Sequence, residues 1–187
     1  MKREDEKMNE KWKENWRTEY DNVGSFSEGL AWVDKNRNCG FVDKKGKLVI
    51  PLKYDDADSF SEGLARIEKD KKYGFVDKQG KLVIPLDYDN AGSFSEGLAL
   101  VEKNGKWGFI DKKGKVVIPL DYGNAGSFSE GLALVEKNEK WGFVDKKGNI
   151  VIPLEYDCVG IFSEGLAWVK KNRKLGFVDK KGTVKWH

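Results

Sequence analysis

The chain repeats itself every 34 residues. The hexapeptide Phe-Ser-Glu-Gly-Leu-Ala begins at Phe26 and returns four more times, and a second motif, Phe-Val-Asp-Lys-Lys-Gly or a close variant, begins at Phe41 and returns equally often. No insertion breaks the register across the five copies. An unbroken period of this length indicates a protein built by stacking one small unit, and such proteins generally bind other molecules rather than catalyse reactions.

Two regions follow from the repeat. Residues 1–19 are predicted to form a charged N-terminal amphipathic helical cap, because Met8, Trp12 and Trp16 lie four residues apart among charged residues. Residues 20–187 are predicted to form a single β domain. Its five repeats span approximately 20–53, 54–87, 88–121, 122–155 and 156–187.

The pattern inside one unit predicts strands. In repeat three, Gly or Pro interrupts the chain about every ten residues, which excludes the helix pair that a 34-residue period first suggests. Three short strands fit instead, at 98–102, 106–111 and 116–119. Asn104-Gly105 is typical of a two-residue type I′ hairpin turn. Each repeat is therefore predicted to be a three-stranded antiparallel β-meander.

Alternation along the second strand gives the sheet two unlike faces. Trp107 and Phe109 project to one side, and Gly108 and Ile110 project to the other. A sheet this small is not stable alone. We expect the bulky face of one unit to lie on the flat face of the next, with the recurring glycine permitting a close approach. The fold class is therefore all-β.

Two arrangements of the five units are open at this point. The favoured one is an open, solenoid-like array whose first face is covered by the N-terminal helix, and the alternative is a closed five-bladed, propeller-like ring. Trp32 and Trp168 occupy equivalent positions in repeats one and five, where the central repeats have Leu100 and Leu134. They suit either end adaptations of an open array or neighbours across a ring closure, in which residues near Trp16 would complete the fifth unit.

Two segments in particular, KWGFIDKKGKVVIP at 106–119 and KWGFVDKKGNIVIP at 140–153, resemble WG-containing repeats, which occur in many bacterial proteins. The resemblance covers residues from about 20 to 187. It implies a β-repeat fold and an interaction role, and it implies no single enzymatic activity. Cys39, Tyr73 and Leu175 replace the tryptophan of the motif in three copies.

The composition argues against enzymatic chemistry. The only histidine is His187, so no Ser-His or Cys-His pair is available inside the repeats. The recurring Ser and Glu of the hexapeptide, such as Ser95 and Glu96, are interpreted as turn-capping and solvated residues. Cys39 and Cys158 are the only cysteines and have no metal-ligand spacing, so two buried free thiols are expected and no metal or cofactor is predicted. The N-terminus has no apolar run, and we expect a cytoplasmic protein without a membrane partner.

The sequence therefore favours a non-enzymatic protein–protein interaction module, acting as an adaptor or an inhibitor. Its specificity is predicted to lie in residues that break the repeat: Trp32, Arg37, Arg66, Tyr73, Trp168 and Arg173. Another protein is the expected partner, and an end-to-end homodimer is included. One alternative is a polyanion or nucleic-acid binder that uses the lysines of the turns, such as Lys112-Lys113, although the net charge is only +3. A glycan or cell-wall binding module is a weaker alternative.

Overall fold

A computed structural model describes residues 15–187, so Met8 and Trp12 of the predicted cap lie outside the described residues. The chain divides into two compact units, one ending at Leu86 and one beginning at Asp87. The described residues form one short 3₁₀ helix, Asn15–Glu19, and five four-stranded antiparallel sheets. An all-β fold is confirmed, and the predicted open array of repeats is consistent with five separate sheets.

Each sheet uses four strands in chain order. Sheet 1 consists of β1 (Asn22–Val23), β2 (Leu30–Lys35), β3 (Asn38–Asp43) and β4 (Leu48–Tyr54), and sheet 2 of β5 (Asp56–Ala57), β6 (Leu64–Lys69), β7 (Lys72–Asp77) and β8 (Leu82–Tyr88). Sheet 3 consists of β9 (Asn90–Ala91), β10 (Leu98–Lys103), β11 (Lys106–Asp111) and β12 (Val116–Tyr122). Sheet 4 consists of β13 (Asn124–Ala125), β14 (Leu132–Lys137), β15 (Lys140–Asp145) and β16 (Ile150–Tyr156), and sheet 5 of β17 (Cys158–Val159), β18 (Leu166–Lys171), β19 (Lys174–Asp179) and β20 (Val184–Trp186).

The three-stranded meander is therefore corrected to a four-stranded sheet. The connecting segment contributes the extra strand: Ala91 and Asn90 of β9 pair with Val101 and Glu102 of β10. The strand after the second turn is also longer than predicted, because β12 continues through Pro119 to Tyr122. Pro119 is exposed on this edge strand, where a missing amide proton breaks no ladder hydrogen bond within the sheet.

The recurring glycine of the second strand serves a different contact from the predicted one. A Cβ added to Gly108 would lie 2.6 Å from the carbonyl oxygen of Ile118 in the adjacent strand of the same sheet. The register between β11 and β12 shifts on both sides of Phe109, as at a β-bulge. Glycine at this position therefore permits the bulge inside one sheet.

The packing of unlike faces is confirmed within each unit. In the unit that begins at Asp87, Leu100 and Phe109 of sheet 3 share one buried cluster with Ala133, Val135 and Val144 of sheet 4. The same relation joins sheets 4 and 5, and in the other unit it joins sheets 1 and 2. Burial of a whole aromatic side chain contributes about 2–3 kcal/mol, so this stacking is the main source of stability.

The Ala and Val face of sheet 1 is covered from the N-terminal side. Trp16 and Tyr20 pack against Ala31, Val33 and Val42, all of which are at most 1% exposed. The described part of the predicted cap is thus a single 3₁₀ turn that uses Trp16, one of the three apolar residues of the predicted stripe.

The two cysteines differ in environment. Cys39 is buried and Cys158 is exposed, and both are free thiols. The expectation of two buried thiols is therefore wrong for Cys158, because the short strand β17 leaves its first residue at the surface. Burial raises the pKa of Cys39 to about 11, so this thiol is protonated and unreactive at neutral pH.

The hairpin turns between the second and third strands of each sheet have positive φ at both central residues, as predicted. Asn104 and Gly105 have φ values of 55° and 73°, and Asp70 and Lys71 at the equivalent turn of sheet 2 have values of 51° and 62°. A non-glycine residue in this left-handed region is strained because its Cβ crowds the following carbonyl oxygen.

This strain gives a prediction of stability. The substitution Lys71→Gly should raise the free energy of unfolding by about 0.5–1 kcal/mol, because relief of the left-handed strain exceeds the entropic cost of glycine. The reverse change, Gly105→Lys, should lower it by a similar amount. Urea unfolding followed by tryptophan fluorescence measures both. Two changes of the same sign would contradict this account of the turn.

Candidate protein-interaction surface

The largest exposed group of apolar side chains lies on sheet 5. Leu166 and Trp168 alternate along β18, and Leu175 and Phe177 alternate along β19. Trp168 is directly opposite Phe177 in the strand pairing, so all four side chains project from the same side of the sheet. We call these four residues the terminal apolar face. Their exposed fractions are 47%, 39%, 53% and 44% in sequence order.

The equivalent residues of the other sheets are buried or half-buried. Phe41, Phe109 and Phe143 occupy the position of Phe177 and are at most 1% exposed. Leu98 and Leu100, which correspond to Leu166 and Trp168, are 8% and 9% exposed. The opposite face of sheet 5 is buried, since Ala167, Val169 and Val178 are at most 1% exposed. Sheet 5 therefore presents, uncovered, a surface whose counterparts elsewhere are packed inside the protein.

Charged residues lie at both ends of the terminal apolar face, and Lys185 lies beside its centre, opposite Phe177 on the edge strand. Lys170 continues the row of Leu166 and Trp168 on β18 and is opposite Leu175, whereas Asp179 on β19 is opposite Leu166. Lys170 stands where repeats two to four have glutamate, for example Glu102. His187 lies beside the face, with its ring edge-on to Phe177 at 5.8 Å between centroids.

The serine and glutamate of the hexapeptide join adjacent repeats. The Ser129 hydroxyl donates to the carbonyl oxygen of Phe162 at 3.0 Å, and the Glu130 carboxylate accepts from the amide of Gly165 at 3.0 Å and contacts Lys180 at 2.9 Å. Each partner belongs to the following repeat. We call this pair of interactions the Ser–Glu clamp.

The clamp recurs in both units. Glu28 contacts Gly63 and Lys78 at 3.0 and 2.8 Å, and Glu96 contacts Gly131 and Lys146 at 3.1 and 2.9 Å. Sequence reasoning missed this role, because the amide and lysine partners lie 35 and 50 residues ahead along the chain. Among residues 15–187, the side chains of Ser163 and Glu164 in repeat five have no hydrogen-bond partner, and both are exposed.

Lysine pairing weakens the nucleic-acid alternative. The first lysine of the second turn, as at Lys78, Lys146 and Lys180, is held by a clamp glutamate. The lysine that ends the second strand of sheets 2 to 5 is also paired with a carboxylate. The pairs are Lys69 with Asp55, Lys103 with Asp87, Lys137 with Asp121 and Lys171 with Glu155. Much of the predicted basic surface is therefore neutralised locally by carboxylates of the protein.

The six predicted site residues are divided between the two compact units. Trp32, Arg37, Arg66 and Tyr73 belong to the unit ending at Leu86, and Trp168 and Arg173 belong to the other unit. Trp32 is half-buried and packs against the cluster between sheets 1 and 2, with its ring over Gly24. Trp168 lies in the same way over Gly160, but its outer side is exposed as part of the terminal apolar face.

Arg66 and Tyr73 lie together in sheet 2, where Arg66 also forms an internal ion pair with Asp58. The Arg66 guanidinium donates from Nε and Nη2 to the two carboxylate oxygens of Asp58, at 2.7 and 2.9 Å, and it lies 5.0 Å from the centre of the Tyr73 ring. The Arg66 side chain is only 15% exposed. Asp58 occupies the position of Gly24 and Gly160, so this pair replaces the contact of tryptophan with glycine.

Arg37 and Arg173 lie at turns. Both are the second central residue of a hairpin turn, with φ values of 63° and 66°, and both are exposed. They are equivalent to Gly105 of sheet 3. The position of the two arginines does not test their predicted binding role, which stays a prediction.

In residues 15–187 no cluster of three or more His, Cys, Asp or Glu side chains is placed to hold a metal ion. The same part of the chain contains no helix of the length and apolarity needed to cross a membrane.

The repeated sheets, their turns and the clamps define a tandem β-repeat protein. Residues 18–39, 40–73, 73–107, 107–141 and 141–174 match the family model described as WG containing repeat. The chain belongs to this family, as the sequence motifs predicted. A search of the curated proteins finds no match.

Solved structures with a similar fold include a eukaryotic initiation factor and Hsv2 of Kluyveromyces lactis. The first is 12% identical with a TM-score of 0.58 and covers 89% of this chain, which spans 54% of that protein. The second is 8% identical with a TM-score of 0.50 and covers 87% of this chain, which spans 63% of that protein. At these identities the likeness concerns the fold alone.

A double substitution tests the structural role of Arg66. Arg66→Leu should lower the free energy of unfolding by about 1 kcal/mol, because Asp58 loses a bidentate partner in a partly exposed site. Adding Asp58→Gly recreates the Gly92 and Leu100 pair of repeat three and should recover at least half of the loss. Urea unfolding of the wild type, the two single variants Arg66→Leu and Asp58→Gly, and the double variant gives the coupling energy. Additive effects would show that the pair does not act as a unit.

The Ser–Glu clamp predicts a loss of stability in acid. The hydrogen bond from Lys146 lowers the pKa of Glu96 in the folded protein. A carboxyl group whose pKa is lowered by folding stabilises the folded protein fully at pH values above its unfolded pKa of about 4.3. This stabilisation is lost as the pH falls through the folded pKa. Glu96→Gln should therefore lower the urea midpoint at pH 7 and have little effect near pH 3.

The matched control is Glu164→Gln, the clamp glutamate that has no partner among residues 15–187. It should leave the midpoint unchanged at both pH values when measured at low protein concentration. An equal effect of the two substitutions at pH 7 would contradict the clamp.

Proposed function

We propose that the protein is a non-enzymatic protein–protein interaction module and that the terminal apolar face is its principal contact surface. The observation that carries the proposal is the exposure of Leu166, Trp168, Leu175 and Phe177, whose counterparts in the other sheets are buried or half-buried. Contiguous exposed apolar groups bordered by charged residues are typical of binding surfaces for other proteins. Tryptophan at the centre of such a surface is a common energetic anchor.

The rigidity of the surface supports the same function. The face belongs to two paired strands whose reverse side is packed into the protein, so its side chains are held in place before binding. A surface that is ordered in advance loses less conformational entropy on association. The module would act by occupying a partner, as an adaptor or an inhibitor does, rather than by transforming it.

The test is an affinity purification from native cells with quantitative mass spectrometry. Phe177→Glu places a charge at the centre of the face, and we expect at least a tenfold loss of specific partners, additional copies of the chain included, as for a central interface residue. Ile150→Glu is the matched control, because Ile150 is 58% exposed and lies on sheet 4 outside the face. A partner set that survives Phe177→Glu would overturn the proposal.

A further inference from the structure

The terminal apolar face is built so that two copies of it fit each other. We infer that it seats a second copy of this chain in a two-fold symmetric dimer, sheet 5 against sheet 5. This inference rests on the proposed function, since it names the partner of the same surface. Three features support the dimer: the surfaces that a second copy has available, the charges of the face and the area of the face.

A second copy cannot offer the surface that normally covers such a face. Within each unit, bulky faces are covered by Ala and Val faces of the following sheet. The Ala and Val face of sheet 1 is itself covered by Trp16 and Tyr20, and the equivalent residues of the other sheets are buried. Head-to-tail stacking would first have to displace the Trp16 cap. Among residues 15–187, the apolar sheet face that a second copy offers uncovered is its own terminal apolar face.

The charges around the face are complementary under a two-fold rotation. Lys170 marks one end, and Asp179 marks the other. Glu164 lies beside the Asp179 end, because the adjacent Ser163 bridges to Leu166. In the earlier repeats the same glutamate reaches the sheet that covers the bulky face, as Glu130 reaches Lys180.

A two-fold axis that runs across the strands brings the ends of opposite charge together. It places Trp168 and Phe177 of each copy against the same residues of the other and sets Lys170 beside Asp179 and Glu164 of the second copy. An interface of this kind is isologous and closes at two copies. The same axis sets Lys185, which is opposite Phe177 on the edge strand, beside Lys185 of the second copy. This like-charge pair would lie at the solvated rim, where water and salt screen the repulsion.

The size of the face predicts a weak dimer. Its four half-exposed side chains present about 350 Å² of apolar area per copy, given 150–250 Å² for a whole aromatic side chain. Two copies with their polar rims would bury about 1,000 Å², which is at the lower limit for a specific interface. We therefore expect a dissociation constant in the micromolar range rather than an obligate dimer.

Sedimentation velocity of the full chain over about 1 µM to 1 mM tests the dimer, because this range brackets a micromolar constant. The mass should rise from the monomer toward twice that value and no further. Phe177→Glu should remain monomeric, and Ile150→Glu should behave as the wild type. A monomer at every concentration, or a mass that continues to rise beyond the dimer, would overturn the inference.

A charge exchange tests the two-fold arrangement. Lys170→Glu installs the residue that repeats two to four carry, so the fold should tolerate it, and the thermal midpoint checks this. In this variant both ends of the terminal apolar face carry acidic residues, so we expect the dimer to be at least tenfold weaker. Adding Glu164→Lys returns opposite charges to the two ends and should restore most of the affinity. Failure of the second substitution to restore it would overturn the arrangement.

The two proposals can fail separately. A chain that stays monomeric but loses purified partners with Phe177→Glu would retain the proposed function and refute the second copy as occupant. A chain that dimerises as described, while its other partners survive Phe177→Glu, would support the dimer and overturn the proposed function.

Discussion

The packing of an aromatic face against a face of alanine and valine is the interaction on which the rest of the structure depends. Phe109 and its neighbours fill the surface above one sheet, and Ala133, Val135 and Val144 provide a shallow surface beneath the next. Neither face could remain exposed on a lone four-stranded sheet without leaving most of its apolar area in water. The repeat therefore has a direction: every sheet has one face that needs a cover and one face that provides it.

The hydrogen bonds and ion pairs of the repeat are arranged around this packing. The Ser–Glu clamp holds the edge of one sheet to the next, while the Asp111 carboxylate accepts the amides of Lys113 and Lys115 and fixes the second turn. These groups are mostly exposed, so each adds little stability alone. Their contribution is to fix how the sheets are oriented, and the apolar contact supplies most of the free energy.

Much of the fold could be predicted from the sequence because period and alternation are direct consequences of backbone geometry. The hairpin at Asn104 and Gly105 and the opposite sides of Phe109 and Ile110 follow from turn stereochemistry and from the pleat. The two-residue strand β9 could not be predicted, since Asn90–Ala91 is too short for any apolar pattern to appear. The strand that passes through Pro119 was predicted to stop there, because a residue without an amide proton either closes a strand or lies on its outer edge, and the sequence does not decide between the two.

The candidate surface was predicted in part. Trp168 was identified because it breaks the repeat, but its neighbours Leu166 and Phe177 follow the repeat and carried no such signal. Their exposure depends on what covers sheet 5, which a single sequence does not show. Arg66 was assigned to binding because it breaks the repeat. The signal that it forms an internal pair was Asp58, which interrupts a position that is glycine in the other four repeats.

The clamps also bear on how such chains can change in length. A serine and glutamate that form a clamp, such as Ser129 and Glu130, contact only the repeat that follows them. A unit of 34 residues therefore carries the side chains needed to join its successor. Duplication or loss of one whole unit in the gene would keep every remaining junction intact, whereas gain or loss of a few residues would disrupt one. Families of this kind can therefore vary by whole copies, and the surface at the last copy is free to diverge.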